Sequence, residues 1–459
     1  MARAYEAFRA HHGRFVAAVS ADMLPDLHRD VAERDARIVF LGRDGHSYAA
    51  AVRGLDPDFY ERYCTEIVLS RAVVEAALAD LEHNAGARFD AVESFRVRDR
   101  VDPTAAAGAF QALSDYLDDA AIPTTDGAIT LVDNSFKGTI QELYSAAYPG
   151  VEVHGRYAIH AAHPDDPHPG TKTGYALHQP ARGRWGGYPL AELPDEPELT
   201  LGAAEAVAAI EHTLHGPDTS PTELAEDGPV QQPQRFQTAA LRGYNPALIE
   251  PAYREPRVRE AVKVTALLAV HDTATQARPH WTGEQFHTTQ HERHQAVNGF
   301  ATHVRAWITQ APDRDAALTG VLDAFVRRSD RALLAEAYDQ LAGAGLDPTE
   351  PSQHWTALAT ATPQDKQQIR RDLASGYCTA ITTQQGPRRE AGDLDAAMER
   401  LRNAVETSRR NRATSTDEPA RTSVRHHDTA RGYGIDPQLD QHPQTRQRGA
   451  DQPDYDSRY

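Results

Sequence analysis

The sequence predicts an α/β fold: a Rossmann-like, mostly parallel sheet domain, then an α-helical domain and a disordered carboxy-terminal tail. Three observations predict it. Short apolar runs at 37–41, 65–69, 129–132 and 151–161 are separated by amphipathic helical patterns, the alternation that builds a parallel sheet covered on both faces. Strand signals nearly vanish after Leu199 while helical spacing continues. From Ser408 to Tyr459 the chain turns to Arg, Asp, Gln, Thr, Pro and His, with too little apolar surface to offset the entropy of ordering it. The expected boundaries are 1–195, 196–407 and 408–459.

The elements follow in order. Residues 3–33 carry Phe8, Phe15, Val16, Val19, Met23, Leu24, Leu27 and Val31 at helical spacing, and Pro25 is expected to split them into two helices. The strand at 37–41 leads through Gly42-Arg43-Asp44-Gly45 into a helix at 48–55. The strand at 65–69 ends in Ser70-Arg71, before helices at 73–81 and 105–117. The strand at 129–132 delivers Asp133, and a helix at 139–147 follows a Ser/Lys/Gly loop. A fourth strand spans 151–161, and the Pro-, Gly- and His-rich stretch from 163 to 197 reads as a long loop. Helical patterns then occupy 202–214, 255–271, 283–309, 314–327, 329–343, 363–375 and 391–408.

Composition narrows the function. A net charge of −18 argues against nucleic acid or an anionic membrane as partner. No run approaches the ~20 apolar residues that span a bilayer, and the start of the chain lacks a signal-peptide core, so a cytoplasmic setting is expected. Cys64 and Cys378 stand far apart and form neither a disulfide framework nor a zinc spacing. Lysine occurs only at Lys137, Lys172, Lys263 and Lys366, so its presence in the Asp133 loop draws the eye.

Two loops carry the chemistry. In the stretch Asp133-Asn134-Ser135-Phe136-Lys137-Gly138-Thr139, small residues let main-chain N–H groups approach phosphate oxygens, a hydroxyl and a cation add to the cradle, and Asp133 can hold a ribose hydroxyl or magnesium. The competing role is structural, with Asp133 and Ser135 capping the next helix. In the other loop Arg43 can clamp a phosphate and Gly45 allows a tight turn. Against this stands an ordinary Asp-Gly turn with Asp44 as cap. Ser70 and Arg71 can add a second arginine to the same crevice. His287, His291 and His294 fall at zinc-compatible spacing, but their polar neighbours fit a solvated helix face. Glu211, His212 and His215 read as a polar helix end before Gly216-Pro217.

These residues carry two resemblances. Leu131-Val132-Asp133-Asn134-Ser135-Phe136-Lys137-Gly138-Thr139, after Phe40-Leu41-Gly42-Arg43-Asp44-Gly45, resembles the sugar-diphosphate motif and first loop of phosphoribosyltransferases, in the same chain order. Asn134 stands where those enzymes carry a second acid, and the loop is one or two residues shorter. Over residues 1–270 the combination of Arg43-Asp44-Gly45, Ser70-Arg71, Val132-Asp133, Lys137-Gly138-Thr139-Ile140-Gln141 and Glu211-His212 with Gly216-Pro217 also resembles an uncharacterised bacterial domain. That domain commonly follows haloacid-dehalogenase-type predicted hydrolases. The first resemblance implies a transferase in which Asp133 and Asp44 act at the reacting sugar. Arg43, Ser70, Arg71, Ser135, Lys137, Gly138 and Thr139 would hold phosphate, Mg2+ would be the cofactor, and a phosphorylated small molecule the partner. The second keeps a phosphohydrolase as an alternative, though neither Gly42 nor His46 supplies the second aspartate that this chemistry places two residues from the first. A phosphosugar-binding module without turnover is the third. The sequence names no protein partner.

Overall fold

The computed structural model describes residues 1–98, 101, 106–134, 136–179, 193–216, 218–225, 228–231, 250–253 and 255–326. Strands β1 (Arg37–Gly42), β2 (Cys64–Val68), β3 (Gly127–Asp133), β4 (Val151–Ala161) and β5 (Lys172–Gln179) form one sheet in the order β2-β1-β3-β4-β5. Every neighbouring pair is parallel. Alternate residues of the central strands feed different cores. Ile38, Phe40 and Val132 join one hydrophobic cluster, and Val39, Leu41, Ile129 and Leu131 join the other. Burial on both sides is why these strands read as unbroken apolar runs.

Helices α5 (Arg71–Ala85), α6 (Ala109–Asp119) and α7 (Thr139–Ala147) cover one face. The other face carries α2 (Arg14–Arg34), α3 (Gly45–Leu55) and α4 (Pro57–Tyr63). The same cluster continues through α1 (Ala2–Phe8), α8 (Ala204–Leu214), α9 (Pro256–Trp281), α10 (Gln290–Ile308) and α11 (Ala316–Phe325). Gly54 lets α3 and α9 approach closely, since a Cβ there would stand 2.8 Å from the His271 carbonyl oxygen and 2.9 Å from the Ala274 Cβ. Among the described residues no helix is long and apolar enough to cross a membrane.

Two expectations need correction. Helix α2 runs unbroken through Pro25. An interior proline costs about 3 kcal/mol, but Met23, Leu24 and Leu27 beside it are buried, each contributing about 1.5–3 kcal/mol, so packing wins. The stretch from 163 to 197 is not all loop, because β5 lies within it. As an edge strand it is only partly buried and carries Lys172, Gly174 and His178, so it lacks the apolar run that marks the central strands. The expected helices at 329–343, 363–375 and 391–408 and the tail from 408 lie outside the described residues.

Candidate active site at the carboxyl edge of the sheet

The strand order places a topological switch between β1 and β3, where the chain leaves β1 for one side of the sheet and returns on the other. Ligands of open α/β sheets bind in the crevice outside the carboxyl ends at such a point. Arg43 and Asp44 follow β1, Arg71 opens α5 just after β2, and Asp133 ends β3. Helix α8 adds Glu211, whose Oε1 accepts from Asn134 Nδ2 at 3.3 Å. Tyr48 donates to Asn134 Oδ1 at 2.8 Å and ties the cluster to α3. Asp133 Oδ1 accepts the Asn134 N–H at 2.7 Å.

Electrostatics set this crevice apart. Asp44 Oδ1 is buried with no hydrogen-bond partner. Burial pushes the Asp44 carboxyl up, opposed by Arg43, His46, Arg71 and Lys263. Burial and then the facing Asp44 drive Asp133 well above the usual carboxylate range, against the pull of the Asn134 N–H. Burial, with Asp44 again, pushes Glu211 up to about 8. Lys263 of α9, 2.6 Å from His215 Nε2, is lowered to about 6 by burial, with Arg43 and Arg259 adding repulsion. Three buried carboxyls and two arginines thus act on one another at this edge, and burial favours the protonated form of each carboxyl.

The other sequence-predicted residues are engaged elsewhere. Ser70 Oγ donates to the Pro221 carbonyl at 2.6 Å and accepts the Val73 N–H at 3.2 Å, capping α5. Lys137 Nζ donates to the Ser94 carbonyl at 3.2 Å and lies 5.3 Å from the Phe95 ring centroid. Gly138 has φ +73°, and a Cβ there would meet the Lys172 side chain at 2.8 Å and the Tyr157 hydroxyl at 3.0 Å. The space over this glycine is therefore filled by the protein's own lysine. Thr139 is buried at the first position of α7, and Ser135 lies outside the described residues. The structure therefore brings Arg43, Asp44, Arg71 and Asp133 together, and uses Ser70, Lys137 and Gly138 to hold neighbouring elements.

Sequence reasoning missed Glu211 and Lys263 as members of the crevice. Glu211 is separated from Asn134 by 77 residues, and only the folded chain joins them. Its recurrence in the longer motif set was the available signal, and for Lys263 the rarity of lysine. His287, His291 and His294 are all exposed. Among the described residues no three His, Cys, Asp or Glu side chains are arranged to hold an ion between them. Magnesium can instead take one or two carboxylates and complete its octahedron with waters and phosphate oxygens. Asp133 and Glu211, hard oxygen donors whose proton affinity burial and Asp44 raise and a bound cation would lower, fit that mode. A cleft of about 460 Å³ between Leu24, Asp56, Trp281 and Phe286 contains none of the crevice residues. No protein-family model, curated protein or solved structure matches the chain.

Proposed function

We propose that this protein is a phosphoribosyltransferase-like enzyme that binds a phosphorylated sugar or nucleotide at the carboxyl edge of its sheet, in a cytoplasmic setting. The observation that carries the reading is the convergence of Asp44, Asp133 and Glu211 with Arg43 and Arg71 at the β1/β3 switch point. Two arginines suit the paired phosphates of a diphosphate leaving group. Asp44, whose buried Oδ1 has no partner, is suited to a sugar hydroxyl. Asp133 and Glu211 would hold Mg2+, which when bound supplies charge neutralisation for the diphosphate oxygens. Preorganised charge aimed at the departing diphosphate would supply most of the rate.

The test is diphosphate release by the full chain from phosphoribosyl diphosphate and magnesium, with nitrogen and oxygen nucleophiles as acceptors. Asp133→Asn keeps the oxygen that accepts the Asn134 N–H but removes the carboxyl that would ionise on binding magnesium, and release is expected to fall at least about 10²–10³-fold. Undiminished release by that variant rejects the assignment. A second reading, a phosphosugar-binding module without turnover, draws on the position of Lys137, whose ammonium is held by Ser94. Saturable binding with no diphosphate release would select it. Phosphate release from simple monoesters would select the phosphohydrolase.

A further inference from the structure

A nucleophile attacking in the crevice must lose a proton to a nearby acceptor. His46, in the first turn of α3, has the geometry for it. Its Nδ1 is 2.7 Å from Glu66 Oε2 of β2. Glu66 is itself fixed by the Tyr60 hydroxyl and by Arg53 at 3.3 Å, and Arg53 lies 4.4 Å from the Tyr60 ring centroid. Burial alone would push the Glu66 carboxyl up, but the bonds from His46 and Tyr60 and the Arg53 charge hold it below the usual range. An ionised Glu66 selects the tautomer with hydrogen on Nδ1 and leaves the Nε2 lone pair for another partner.

That Nε2 lies over the end of β1. A Cβ on Gly42 would stand 2.5 Å from it, so the absent side chain of Gly42 is what gives the ring its place beside the crevice. Among the described residues nothing hydrogen-bonds Nε2, and the His46 side chain keeps 27% of its exposure. The charged groups around the ring are Glu66 of β2, Arg53 of α3, and Asp44 of the β1–α3 loop, whose carboxyl feels the imidazole. Tyr60 of α4 reaches it only through Glu66.

We propose, building on the transferase reading above, that His46 is the general base of this site and Glu66 its positioning residue. As the acceptor N–H or O–H attacks the anomeric carbon, the new bond forms there and the carbon–oxygen bond to diphosphate breaks. Diphosphate leaves with the electron pair toward Arg43 and Arg71, and the acceptor's proton passes to His46 Nε2. Water is the simplest acceptor.

The test uses the full chain with magnesium. Binding of phosphoribosyl diphosphate is measured by calorimetry, and diphosphate release is followed from mildly acidic to mildly alkaline pH. The variants are His46→Gln, which can still donate to Glu66, His46→Ala and Glu66→Gln. Both His46 variants are expected to bind within about twofold of wild type, release diphosphate about 10²–10⁴-fold more slowly and lose the acidic limb of the pH–rate profile. Added imidazole should restore part of the rate to His46→Ala and none to His46→Gln, whose side chain fills the place. Glu66→Gln should lower the rate with binding unchanged. Wild-type rates in either His46 variant, a surviving acidic limb, or a wild-type protein that binds without releasing diphosphate each overturn the base assignment while leaving the binding site standing. Absence of binding by the wild-type protein removes the transferase reading and the base together, and the same titration tells that failure from the others.

Discussion

Two groups of buried charge lie against the same sheet and are built in opposite ways. Under the last turn of α2, Asp30 is closed on every side. Its Oδ1 takes Arg156 Nη2 at 2.7 Å and Arg34 Nη2 at 2.5 Å, and its Oδ2 takes Arg156 Nε at 2.9 Å and Thr130 Oγ1 at 2.9 Å. At the carboxyl edge, Asp44 leaves one buried oxygen with no partner, and its charge raises the proton affinity of both Asp133 and Glu211. A buried carboxylate is stable when donors satisfy it and costly when they do not. The first group has all it needs from the protein and holds elements together. The second is not satisfied by the protein alone, as the partnerless Asp44 Oδ1 shows, and the proposed function rests on that difference between a site and a brace.

The contrast predicts different failures. Asp30→Ala leaves Arg156 and Arg34 facing an empty acceptor, and urea unfolding should show a loss of about 3–5 kcal/mol, the cost of breaking a buried pair from one side. Sugar-diphosphate affinity of the folded fraction should be unchanged, and a loss of affinity as large as the loss of stability would erase the distinction. In the open group, Arg71→Met should weaken binding of phosphoribosyl diphosphate by about 1.5–3 kcal/mol, the range for hydrogen bonds to charged groups, with little change in unfolding.

Glu211 sharpens the comparison through pH. Its carboxyl is raised from 4.5 to about 8. Between those values the unfolded chain gives up this proton while the folded one keeps it, so ligand-free stability falls as pH rises through the window. Glu211→Gln, which can still accept from Asn134, should therefore stabilise the protein by on the order of 2 kcal/mol at the alkaline end. It should change nothing at pH below the unfolded value. Thermal melts at the two ends of the window decide this, and a gain independent of pH contradicts it. The smallest expected effect is that of Lys137→Met. Because Nζ is held by Ser94, ligand affinity should move by less than about twofold, well under the 1.4 kcal/mol of a tenfold change. A larger loss would return Lys137 to the phosphate cradle.

Much of the fold was legible because parallel strands buried on both faces leave unbroken apolar runs, as at Arg37–Gly42 and Gly127–Asp133. Helix α7 was legible at both ends, from Thr139 to Ala147. Strand β5 was not, because an edge strand half open to solvent needs no such run. The break at Pro25 failed because local propensity was outweighed by the buried side chains around it. For the candidate site, polar loops at strand ends pointed to Arg43, Asp44, Arg71 and Asp133 as neighbours, since chain direction alone gathers carboxyl ends on one edge. The roles of Ser70, Lys137 and Gly138 were not legible: their partners Pro221, Ser94 and Lys172 come from other elements, and a phosphate loop and a packed loop use the same small residues. Glu211 and Lys263 enter from helices packed across the crevice, through contacts that no local spacing encodes.

The central claim is that the open group of charges is a ligand site. Calorimetric titration of the full chain with phosphoribosyl diphosphate, with and without magnesium, for wild type and Asp133→Asn, tests it most directly. The account predicts saturable, magnesium-dependent binding in the wild type that is lost in the variant while its unfolding remains cooperative. Equal binding by both proteins, or no binding of any phosphorylated sugar or nucleotide by the wild type, would contradict it.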